Sequence, residues 1–168
     1  MKMLKYSLYI TFVSLFFFSC VSSPDYSDVP EINFISLSKS SLEQSSVSND
    51  ELFLNFSFTD GDGDIGESAT NGNSNLNVTL IDNRTGEIYD RYKTPEIPQQ
   101  GTGNGIDGEI RILVLTTCCV FPAVDSIPPC EKPAQYPTND LSFDIQISDR
   151  AGNKSNIITT PVITLLCN

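Results

Sequence analysis

Three observations predict an all-β fold of two facing β-layers for residues 31–168. No stretch there keeps apolar residues at helical spacing; they alternate instead with polar residues over short segments. Those segments are bounded by clusters of Gly, Pro, Asn, Asp and Ser, which turn or end an extended backbone. Leu141, Phe143, Ile145 and Ile147 alternate with Ser142, Asp144, Gln146 and Ser148. That is the pattern of a strand with one face in the core and the other in water.

Taken in order, the strands read as residues 32–37, 52–59, 76–82, 87–92, 109–117, 141–149 and 157–166. Asn83-Arg84-Thr85-Gly86 joins the third and fourth as a hairpin, with Gly86 suited to positive φ. Pro161 has no N–H to donate and predicts an edge position for the last strand. Seven strands in about 135 residues fit one immunoglobulin-like β-sandwich. If consecutive strands run up and down, residues 60–75, 93–108 and 150–156 share one pole. The hairpin, residues 118–140 and the end of the last strand share the other.

The chain of 168 residues has room for one domain with a sizeable core. Its net charge of −11 argues against a nucleic-acid partner, which would require a basic face. With no His, imidazole general acid–base chemistry and Ser-His triads are excluded.

The N-terminus reads as an address. Lys2 and Lys5 precede an apolar run from Leu8 to Phe18, which ends in Ser19-Cys20. A basic start, a short apolar stretch and a small residue make a secretory signal, too short to span a bilayer. Phe17-Phe18-Ser19-Cys20 resembles a bacterial lipobox, with Phe17 where Leu is usual. The resemblance implies a signal peptide over residues 1–19, lipidation at Cys20 and anchoring in the bacterial outer membrane. Residues 20–30 then form the lipidated start and a tether, and residues 31–168 the domain. Asp25, Asp28 and Glu31 resemble the surface-export signals of Bacteroidota lipoproteins.

The stretch richest in chemistry is Phe58 to Gly66, FTDGDGDIG. Leu52, Leu54, Phe56 and Phe58 alternate straight into Asp60, Asp62 and Asp64, so an extended backbone puts all three carboxylates on one side. Gly61 and Gly63 let the chain curl until they converge. A hard cation with oxygen ligands would relieve their repulsion, and Ca²⁺ is the natural choice. The run resembles the opening of an EF-hand loop, but Ile65 replaces the turn glycine and Asn71 the closing glutamate. Glu67, Asp149 and Asn153 are further candidate ligands, and Asp107 is a neighbour. The competing expectation is a solvated turn that ends the strand and binds nothing.

Cys118, Cys119, Cys130 and Cys167 all fall at the second pole and are expected to form two disulfides in an exported domain. Setting aside a strained Cys118–Cys119 bond leaves two pairings, which the sequence does not separate. A zinc site lacks the Cys-x₂₋₄-Cys spacing. Gly101-Thr102-Gly103-Asn104-Gly105 lacks the Lys-Ser/Thr that follows a phosphate loop and is expected to be an ordinary loop.

Asp149-Arg150-Ala151-Gly152-Asn153 resembles a turn found in bacterial immunoglobulin-like and fibronectin-III-like repeats. With FTDGDGDIG and the trailing Cys167, the domain resembles a group of Bacteroidota lipoproteins. That resemblance implies fold and address and carries no activity. Asp125-Ser126-Ile127 resembles a Bacteroidota O-glycosylation sequon, which makes Ser126 a candidate acceptor. The expectation is a lipid-anchored, non-catalytic binding or adhesion module for a protein or glycan. The alternatives are an accessory subunit of an envelope complex and, with no motif behind it, a hydrolase.

Overall fold

The computed structural model describes residues 25–66, 76–98 and 105–168. Cys20, Glu67, Asn71 and most of the Gly101–Gly105 run, all singled out above, lie outside the described residues. The strands are β1 (Glu31–Leu37), β2 (Ser41–Glu43), β3 (Glu51–Asp60), β4 (Val78–Asp82), β5 (Glu87–Tyr92), β6 (Ile106–Leu115), β7 (Thr138–Leu141), β8 (Phe143–Ile147), β9 (Ile158–Thr159) and β10 (Ile163–Leu166). One 3₁₀ turn, Ala123–Asp125, follows β6.

The fold is an all-β sandwich. One layer is the sheet β1-β3-β6 and the other is β5-β4-β8-β9, with a third small sheet, β2-β10-β7, beside them. The first, second and fifth expected strands thus share one sheet, and the third, fourth, sixth and seventh the other, as in immunoglobulin-like domains. Leu52, Leu54, Phe56 and Phe58 of β3 meet Val78, Leu80, Phe143, Ile145 and Ile147 of the opposite layer in one core. The period of two dictates this: from Leu52 to its end, β3 alternates buried and half-buried residues.

Two expected strands are each divided. Residues 141–149 split at Ser142, so β7 joins the small sheet while β8 pairs with β4 and β9. Residues 157–166 split around Pro161, which lies between β9 and β10. The edge assignment therefore holds only for β9. β10 is central in its sheet, paired parallel to β2 and antiparallel to β7. A proline lacking its N–H interrupts the ladder at the point where the chain changes sheets.

At the disulfide pole, Cys118 bonds Cys130 and Cys119 bonds Cys167, with Cα separations of 4.6 and 6.0 Å. This resolves the pairing the sequence leaves open. Cys119 and Cys167 are buried, and Gln44 bridges their backbones: its Oε1 accepts from Cys119 N and its Nε2 donates to Cys167 O. In the β4–β5 hairpin, the nearly buried Arg84 pairs with Asp82 at 2.6 Å and donates to Asn139 and the Cys118 carbonyl. The hairpin is thereby tied to the loop after β6.

Candidate metal centre

The register of β3 that buries Phe56 and Phe58 also carries Asp60 inward, and its side chain is 0% exposed. Beyond it the chain leaves the sheet, and Gly63 adopts a left-handed φ of 71°, unfavourable for a residue with a Cβ. Ile65, which occupies the turn-glycine position of an EF-hand loop, is fully buried and plugs the core at this pole. The departure from the EF-hand pattern is thus a packing requirement.

Asp60, Asp62 and Asp64 each place a carboxylate oxygen within 4.8 Å of the other two. Three oxygens spread evenly around one Ca²⁺ at 2.3–2.6 Å would stand about 4.0–4.5 Å apart. Oδ1 of each aspartate is buried from solvent, and none has a hydrogen-bond partner. Buried acceptors in folded proteins nearly always have one, so these three oxygens call for a bound water or ion. At an effective dielectric near 20, each pair of charges repels by about 3–4 kcal/mol at this spacing. An acidic cluster able to hold a metal ion is therefore present.

The other oxygens orient the cluster. Asp60 Oδ2 accepts from Asp64 N at 2.8 Å, and Asp64 Oδ2 accepts from Ala151 N at 2.9 Å. Arg150 N donates to the Asp64 carbonyl, and Arg150 Nη1 to the Gly66 carbonyl at 2.6 Å. Burial, reinforced by Asp62, Asp64 and Asp149, pushes the Asp60 carboxyl up to about 6. Burial and then the charges of Asp149 and Asp62 also raise Asp64, opposed by the Ala151 N–H and by Arg150.

The turn from Asp149 to Asn153 does reach this pole, as its place in the strand order predicts. Asp149 Oδ1 and Oδ2 accept from Asn153 N and Nδ2 at 2.7 and 2.8 Å, so the two candidate ligands pair with each other. Among the described acidic side chains, the oxygens within 4.8 Å of one another belong to Asp60, Asp62 and Asp64. Asp107 is not among them; it accepts from Tyr26 Oη at 3.2 Å on the outer side of β6. A polar recess of about 290 Å³ opens beside the cluster, lined by Gly66, Leu76, Asn77, Asp149 and Arg150.

The sequence reading missed the docking of residues 26–29 on the metal loop. Gly61 N donates to the Ser27 carbonyl at 2.8 Å. A Cβ on Gly61 would sit 2.3 Å from the Tyr26 carbonyl oxygen, so this glycine is needed for close approach. Glycine between two acidic residues was the available signal, but it reads equally as a turn. At the other pole, Ser126 is exposed at the end of the 3₁₀ turn.

Comparison of the chain with protein-family models, with curated proteins and with solved structures finds no match in any of the three.

Proposed function

We propose that this chain is an exported, lipid-anchored cell-envelope module of Bacteroidota type that binds a protein or glycan partner and carries one structural Ca²⁺. The observation that carries the metal part is three aspartates with carboxylate oxygens within 4.8 Å of one another, each also holding a buried oxygen with no protein hydrogen-bond partner. Oxygen-only donors select a hard cation, and the flexible coordination of Ca²⁺ accommodates an irregular set of carboxylates better than the near-ideal octahedron that Mg²⁺ demands. The address rests on the lipobox-like Phe17-Phe18-Ser19-Cys20 and the basic, apolar stretch before it. Non-catalytic binding is favoured by the absence of His from the sequence and by the polar recess beside the metal loop.

Calorimetric titration with CaCl₂ tests the metal. One ion per chain is expected, with Kd of about 10⁻⁴ to 10⁻³ M, the range of extracellular modules, and no heat in Asp62→Ala. Equal heats from both proteins would remove the site. For the partner, pull-down from envelope or host extracts should give saturable binding that is lost when the recess is blocked by Leu76→Arg.

A second reading, an accessory subunit of an envelope complex, is favoured by β6. This ten-residue strand pairs with β3 on one side, and among the described strands nothing pairs with its other side. A groove of about 390 Å³ runs beside it, lined by Phe58, Tyr92, Ile97, Ile110 and Ile112. Co-purification of a stoichiometric complex would favour this reading.

A further inference from the structure

We infer that the cation at Asp60, Asp62 and Asp64 fastens residues 26–29 to the domain and so sets how far the domain can stand from its point of attachment. This rests on the calcium and lipid-anchor readings above and deepens the first by naming what the ion controls.

The chain enters the domain at the metal pole. From Ile32 onward it is secured without help from the metal loop: Asn156 Oδ1 accepts from Ile32 N, and Asn156 Nδ2 donates to Ile32 O. β1 then pairs with β3 from Glu31. Upstream of the buried Pro30, two hydrogen bonds among the described residues join residues 26–29 to the rest of the domain. One runs from Gly61 N to Ser27 O, and the other from Tyr26 Oη to Asp107. Gly61 lies between the first two aspartates of the cluster, and its fit against the Tyr26 and Ser27 backbones leaves no room for a methyl group.

The position of Gly61 therefore depends on that of Asp60 and Asp62. With the cation bound, the carboxylates are drawn together, and the Gly61 N–H points at Ser27. Without it, three like charges push the loop open, and the N–H is carried away from its acceptor. The exposed Tyr26–Asp107 contact then remains, and an exposed hydrogen bond is a weak hold on a chain segment. The release point is Pro30.

The consequence is geometric. Residues 21–30 reach at most about 33–36 Å when extended, whereas residues 21–25 alone reach about 17–18 Å. Cation binding would move the first held residue from Pro30 back to Tyr26 and so cut the maximum reach from the anchor by about half.

Chymotrypsin cleavage after Tyr26 tests this on the full chain in detergent, followed by mass spectrometry, with calcium uptake measured calorimetrically in parallel. Cleavage in 5 mM Ca²⁺ should be at least about tenfold slower than in EGTA. Asp62→Ala should be cut at the EGTA rate in both buffers. Gly61→Ala, whose methyl would displace Tyr26, should be cut rapidly even with calcium. Calcium uptake with no change in cleavage after Tyr26 would overturn the clamp and leave the metal site standing. No uptake at all would remove the metal site and the clamp with it.

Discussion

Replacing Cys119 and Cys167 together by Ser is expected to lower the melting temperature by about 10 °C, the largest effect of any change proposed for this chain. The bridge closes a loop of 48 residues. Loop-closure entropy then amounts to about 4 kcal/mol taken from the unfolded chain. Both cysteines are buried, so two hydroxyls would also enter an apolar site. For a domain of this size, about 1 kcal/mol moves the melting temperature by about 2–4 °C. The Cys118–Cys130 bridge closes only 12 residues, and both its cysteines are partly exposed. Its removal should therefore cost about 3 kcal/mol or less. Thermal unfolding of the two double variants checks the order; a larger loss at the shorter loop would contradict it.

Asp60→Asn is expected to stabilise the calcium-free protein at pH 7.5 by about 2–3 kcal/mol while abolishing its response to calcium. The carboxyl is raised from 3.8 to about 6 in the folded state. The folded chain therefore holds this proton more tightly than the unfolded chain. Between pH 4 and 6 the native state binds more protons, so its stability falls as pH rises through that window. Above pH 6 the full penalty of a buried carboxylate is present. Asn is isosteric and uncharged, and it keeps an acceptor for Asp64 N, so it removes the penalty without breaking that contact. Calcium inverts the sign. Its ligands must be deprotonated, so protons compete with it, and its stabilising effect should be large at pH 7.5 and small near pH 5. Melts in EGTA and in calcium at the two pH values check both trends. Loss of stability in Asp60→Asn without calcium would contradict them.

What can be read from this sequence follows the range of the forces involved. β3 and the three aspartates are legible because a period of two is local: the alternation that buries Phe58 also sends Asp60 inward. The clustering of the cysteines at one pole follows from strand order, but their pairing depends on Cα distances that strand order does not set. β2 carries no signal. Ser41-Leu42-Glu43 sits in a polar stretch and becomes a strand only because β10, more than a hundred residues away, pairs with it. The divisions at Ser142 and Pro161 are likewise settled by which sheet each half can join. At the site, Asp149 and Asn153, expected as further ligands, hydrogen-bond each other within one short turn, a contact that residue type alone does not show. Residue type shows which groups could coordinate; local hydrogen bonding decides which remain free to do so.

The most direct test is a crystal of the domain soaked in a lanthanide salt and measured at its absorption edge. One anomalous peak is expected between the Oδ1 atoms of Asp60, Asp62 and Asp64, about 2.3–2.6 Å from each, and it should vanish in Asp62→Ala. Peaks confined to surface carboxylates elsewhere, with these three oxygens hydrogen-bonded to water, would contradict a metal centre at this pole.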